Sequence, residues 1–126
     1  MSRPLATILL IAAIAGPAVA RPLKPDQEAK IQPAGPPVSC ISLHNIRETR
    51  VRDDSTIDFY MNGGKVYRNK LPNSCPSLGF EERFGYETSI DQLCNVDIIH
   101  VITSSPPMRG ASCGLGQFQP ISGAPK

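Results

Sequence analysis

Alternation of apolar and polar residues is clearest between residues 56 and 71. Ile57, Phe59 and Met61 recur at every second position, with Asp58 and Tyr60 between them. That is the period of a strand with one face on a core. Asn62-Gly63-Gly64 follows, then a second run ending at Leu71. Asn and Gly tolerate the positive φ that hairpin turns require. The pattern also selects a register. A three-residue loop sets Met61 opposite Lys65 and Phe59 opposite Tyr67, so that Ile57, Phe59, Tyr67 and Leu71 share one face. A two-residue loop would turn Tyr67 and Leu71 outward, because a one-residue slip carries every side chain across the sheet. Gly64 is then expected in the left-handed position that closes a bulge.

The remaining elements are read from shorter signals. Ile41-Ser42-Leu43 alternates, and Ile46 and Val51 continue the apolar series with a broken period, which predicts a bulge or bend. Arg52-Asp53-Asp54-Ser55 is turn chemistry. Residues 75–79 predict a compact or helical turn. Residues 80–87 predict a strand with Phe84 and Tyr86 on one face. Ser89-Ile90-Asp91-Gln92 has capping-box spacing and predicts one short helical turn. Val96, Ile98, Ile99, Val101 and Ile102 are β-branched and predict a central strand. Pro106-Pro107 predicts a loop, and residues 114–121 a last strand with Phe118 inward. The fold expected is mainly β: a small antiparallel sheet, or partly closed barrel, of five or six strands.

The ends of the chain differ in composition from its middle. Residues 1–20 have the pattern of a secretory signal: Arg3, an apolar stretch over residues 5–15, then Ala18-Val19-Ala20 as a small-x-small cleavage site. Residues 21–39 carry Pro22, Pro25, Pro33, Pro36 and Pro37, with Leu23, Ile31 and Val38 as the large aliphatics. So little apolar surface predicts a disordered or extended spacer. Residues 40–121 are the expected folded domain, and residues 122–126 a polar tail. On this reading Gly64 is a sensitive position and Gly123 a tolerant one.

All four cysteines, Cys40, Cys75, Cys94 and Cys113, fall in the expected domain. An even count in an exported chain predicts disulfides, and a domain of this size gains from them. No Cys-x-x-Cys is present, which argues against a redox site or a zinc knuckle. Three pairings are open. The preferred one joins Cys40 to Cys113 and Cys75 to Cys94, tying the domain's ends together.

Charge and motifs narrow the function by exclusion. Thirteen Lys and Arg against eleven Asp and Glu leave a net charge of +2, too small to predict nucleic-acid binding. After signal removal no stretch is long enough to span a membrane. The sequence lacks Gly-x-Ser-x-Gly, His-Glu-x-x-His and a phosphate-binding glycine loop. His44 and His100, even with Met61 or Met108, show no metal-ligand spacing. No catalytic residue, cofactor or metal site is expected. Arg47, Arg50 and Arg52 read as a solvated edge in preference to an anion patch. Asp97 reads as a turn cap, with a carboxylate at a pocket mouth as the alternative. Tyr60, Tyr86 and Asp97 are the candidate contact residues.

The cysteine framework combines with Ile57-x-Phe59, the Asn-Gly-Gly turn, Tyr67-x-Asn69-x-Leu71, Cys75-Pro76-x-Leu78, Leu93-Cys94-x-x-Asp97 and Cys113-x-Leu115-Gly116-x-Phe118. Together these resemble a family of small exported bacterial proteins of unknown function. The resemblance covers residues 40–121 and implies a periplasmic, disulfide-bonded β domain, with no activity attached. The function expected is a non-enzymatic binding or structural module of the cell envelope, with an envelope protein or polymer as partner. The alternative is an inhibitor of an envelope-directed enzyme such as a lysozyme or protease. Residues 104–111 and 50–55 are its candidate loops.

Overall fold

The computed structural model describes residues 22–104 and 106–126, so the expected signal segment lies outside the described residues. Among the described residues, ten strands form three antiparallel sheets. The first has the order β1-β10-β5-β4-β3: Gln32–Pro33, Phe118–Ser122, Val66–Lys70, Thr56–Met61 and Ile46–Asp53. The second pairs β2, Cys40–Ser42, with β7, Gln92–Cys94. The third has the order β6-β8-β9: Phe84–Tyr86, Ile98–Ser104 and Pro107–Gly114. Two single-turn α-helices, α1 at Pro25–Glu28 and α2 at Leu78–Glu81, and a 3-10 turn at Leu43–Asn45 complete the described elements. The mainly β, antiparallel expectation holds, but the sheets do not close into a barrel.

The β4–β5 hairpin has the expected register. Phe59 lies opposite Tyr67, and the Met61 N–H donates to the Lys65 carbonyl at 2.8 Å. Gly63 and Gly64 both take positive φ, +90° and +88°. The inward face carries Ile57, Phe59, Met61 and Leu71 into one core with Val51, Leu78, Leu93, Ile99, Val101, Leu115 and Phe118. Phe59 is central to it, edge-on to Phe118 at 5.4 Å and to Phe84 at 6.3 Å between ring centres. The irregularity expected between Ile46 and Val51 is present as register shifts in β3.

Several expectations are corrected. The cysteines pair Cys40 with Cys94 and Cys75 with Cys113. Cys40 cannot reach Cys113, because β2 pairs with β7 and sets Cys40 directly opposite Cys94. The chain's ends are joined by hydrogen bonds instead: β1 runs antiparallel to β10, and Val38 bridges Phe118. By chain entropy each disulfide contributes about 4 kcal/mol. The helical turn expected over residues 89–92 is absent. Thr88 Oγ1 organises that turn, bonding the Ile90 N–H and the carbonyls of Ile90 and Gln92, and Gln92 begins β7. Where Pro106-Pro107 was expected to force a loop, Pro107 instead opens the long strand β9, Pro107–Gly114.

Residues 22–39 are not a spacer. α1 and β1 lie in this segment, and Ile31 packs on a second apolar cluster of Tyr60, Val66 and Ile121. The C-terminal residues join it, with Ala124 on the same cluster. All six residues of β4 are therefore buried, the polar ones included. Ile57, Phe59 and Met61 face the main core, while Asp58 and Tyr60 face the two terminal segments.

Candidate functional site

Covering the outer face of β4 buries charge, and arginines of the neighbouring strands β3 and β5 pair with it. Asp58 is fully buried and accepts from Arg52 Nε at 2.9 Å and from Arg68 Nε at 2.8 Å. Arg68 reaches on to Glu28 of α1 at 2.5 Å. Burial works against the Arg68 charge, but its bonds to Asp58 and Glu28 outweigh that and raise its pKa. Beside this network, Tyr60 Oη receives Arg52 Nη2 at 2.9 Å and donates to the Pro125 carbonyl at 2.7 Å. Arg50 stacks on the Tyr60 ring at 4.1 Å, and its bond to Glu48 is the main reason its own pKa is raised. Among the described residues no buried side-chain nitrogen or oxygen lacks a hydrogen-bond partner. These groups hold the structure together.

The residues expected to make contacts separate accordingly. Tyr60 is corrected from an outward aromatic to a buried one, 3 % exposed. Asp97 caps a turn: its carboxylate accepts the Cys94 N–H at 2.7 Å, and its own N–H donates to the Cys94 carbonyl. Arg47, Arg50 and Arg52 form no anion patch, since Glu48, Asp58 and Tyr60 hold them. His44 pairs with Asp91, and His100 Nδ1 lies 2.8 Å from Ser112 Oγ, so the two histidines have separate partners. Of the three candidate contacts Tyr60, Tyr86 and Asp97, Tyr86 is the exposed one, at 39 %.

Tyr86, paired with the buried Ile99, stands on the edge strand of the third sheet, whose outer face is uncovered. Cross-strand pairing places Gly85, His100 and Ser112 in one row, and Ile102 beside Arg109. Ile98 at the near end of β8 is 51 % exposed and Met108 on β9 is 57 % exposed. Gly85 leaves a dip over Ile102, and a cavity of about 290 Å3 opens there among Tyr86, Glu87, His100, Pro107, Met108 and Arg109. Glu87 and Arg109 form an ion pair at its rim. Beneath, Ile99 and Val101 anchor β8 in the core, and the Cys75–Cys113 disulfide anchors β9. The result is a rigid, largely apolar surface with a polar rim, the composition of a contact site.

A second concavity, about 910 Å3 and open to solvent, borders the β3–β4 turn. Pro22, Asp53, Asp54, Lys70, Leu71 and the exposed ring of Phe80 line it. Asp53 and Asp54 each spend an oxygen on backbone, bonding the N–H groups of Ser55 and Gly79. The loop pair read from the sequence thus falls on two different surfaces, residues 50–55 at this groove and residues 104–111 along β9.

Among the described residues no group of three or more His, Cys, Asp or Glu side chains is placed to hold a metal, and no helix is long and apolar enough to cross a membrane. No family model, curated protein or solved structure matches this chain. The family resemblance drawn from the cysteine framework therefore has no support from these comparisons, and the functional reading rests on the surface itself.

Proposed function

We propose that this protein is an exported, non-enzymatic binding module that recognises an envelope component through the open face of the β6-β8-β9 sheet. One observation carries the reading: every residue of β4, at the centre of the five-stranded sheet, is buried, whereas Ile98 and Ile102 stay accessible on the outer face of a sheet fixed by the Cys75–Cys113 disulfide, with Tyr86 and Met108 exposed around the cavity at its edges. Exposed apolar side chains gathered around one rigid sheet indicate an interaction surface. Export is supported by the signal pattern of residues 1–20 and by two disulfides, which persist outside the reducing cytosol. The polar groups with catalytic potential are engaged in structural bonds, which supports binding over catalysis.

The test compares two immobilised proteins in envelope extract: wild type, and Ile98→Asp with Met108→Glu. Wild type is expected to retain one component stoichiometrically, and the variant to lose it at unchanged melting temperature. Equal retention by both would overturn the reading. The inhibitor reading keeps one specific support. The β8–β9 hairpin projects exposed Met108 beside Pro107 on a disulfide-anchored strand, the rigid presentation an inhibitor requires. Recovery of a single envelope-directed enzyme whose activity falls on binding would select it.

A further inference from the structure

We infer that β9 pairs with the β9 of a second copy of this chain, joining two three-stranded sheets into one of six strands. The inference does not depend on the proposed binding face. It starts from the contrast between the two long edge strands. β3 carries Arg47, Glu48 and Arg50, two register shifts, and α2 packed against it. Charge, bulges and cover are the devices that keep an edge from pairing. β9 is equally long and largely exposed, yet its one charged residue is Arg109, which is held by Glu87 of its own sheet.

The strand is also complementary to itself. Opposite β8 it has a register shift between Ser112 and Arg109, so Gly110 and Ala111 together face Val101. Because of this bulge, Arg109, Ser112 and Gly114 all lie on the outer face, opposite Ile102, His100 and Ile98. Met108 and Cys113 lie on the inner face, opposite Thr103 and Ile99. An antiparallel pair with its two-fold axis between Gly110 and Ala111 then matches every face. Arg109 meets Ser112 of the partner subunit, Met108 meets Cys113 of the partner subunit, and Pro107 meets Gly114 of the partner subunit. All eight residues are paired and no arginine opposes another. A shift of the axis by half a residue would set outer positions against inner ones and lose the match. Small residues at 110–112 and 114 let the two backbones approach, and Pro107 sits at the first strand position, where its missing N–H is tolerated. The exposed side chain of Met108 would be covered by its partner strand. A two-fold arrangement of this kind closes at two copies.

The test uses sedimentation equilibrium on the exported, disulfide-bonded protein. A monomer–dimer equilibrium is expected for wild type. Ser112→Arg sets an arginine against Arg109 twice per dimer and is expected to weaken association about tenfold or more. Adding Arg109→Glu to Ser112→Arg restores opposite charges and is expected to restore the dimer. Amide exchange of wild type gives an independent readout: the amides of residues 108–114 that point away from β8 are expected to exchange more slowly as protein concentration rises. A monomer at every concentration, a dimer indifferent to Ser112→Arg, or concentration-independent exchange of those amides would each overturn the inference.

Discussion

Gly123 passes so close to the carbonyl oxygen of Lys30 that a Cβ at this position would overlap it, and its φ of +82° is one that side chains avoid. Here the C-terminal residues cross the N-terminal segment, and the crossing seals the outer face of β4. Gly64 shares the positive φ but has open space around its α-carbon. The sequence-based ranking of these two glycines is therefore reversed. Gly123→Val is expected to cost about 2–3 kcal/mol, combining backbone strain with loss of the Tyr60–Pro125 contact. Gly64→Val is expected to cost about 1–2 kcal/mol. Urea denaturation of both variants checks the order, and a smaller loss at Gly123 would contradict it.

Asp58 bridges two buried arginines, Arg52 and Arg68, and Arg68 is shared with Glu28, so removing the Asp58 charge takes the buried carboxylate from both. Asp58→Asn is expected to destabilise by about 3–5 kcal/mol, the range for breaking a buried ion pair from one side. Glu28→Gln, on a half-exposed carboxylate, is expected to cost about 1 kcal/mol or less. The raised pKa of Arg68 gives a contribution that is complete below the unfolded-state value and is lost only as pH rises through the folded one. The arginine part is thus constant from about pH 6 to about pH 10. Equal losses in the Asp58 and Glu28 variants would show that the outer face is wet.

A chain shortened to begin at residue 35 should behave differently from one lacking a spacer. It loses Glu28, the β1–β10 pairing and the Ile31 contact with Tyr60, Val66 and Ile121. A loss of roughly 2–4 kcal/mol is expected from one charged and a few neutral interactions. An unchanged denaturation midpoint would restore the spacer reading.

Much of this was legible in residues 56–71. The alternation gave the register, and that register already places Asp58 opposite Arg68, so the central ion pair was within reach of the sequence. What alternation does not reveal is whether the second face is covered. Asp58 and Tyr60 have the polarity of solvent-facing positions, and their burial depends on a proline-rich segment with few apolar residues of its own. The pairing of Cys40 with Cys94 was hidden for a related reason: β2 and β7 are three residues each, and strands that short carry no period. β9 was missed because Gly110, Ala111, Ser112 and Gly114 have low strand propensity. They are strand residues because β8 pairs with them and Cys75 holds Cys113. Of the candidate contacts, Tyr86 was placed on an open surface. Tyr60 was not, and Asp97 is a turn cap.

The cysteine connectivity has a direct chemical check. Proteolysis without reduction is expected to release one peptide pair holding Cys40 and Cys94, and another holding Cys75 and Cys113. Mass spectrometry distinguishes these from the Cys40 with Cys113 pairing that the sequence favoured. Recovery of that alternative would require β2 and β9 to be neighbours, which the sheet order forbids.

The described ends of the chain cover the outer face of β4 and leave the outer face of the β6-β8-β9 sheet open. Hydroxyl-radical footprinting of the dilute exported protein tests this most directly, on paired residues of the same type. Tyr60 and Met61 are expected to be protected, while Tyr86 and Met108 are oxidised rapidly. Oxidation of Tyr60 as fast as Tyr86 would mean that the terminal segments do not cover β4, and would contradict the division into a covered face and an open one.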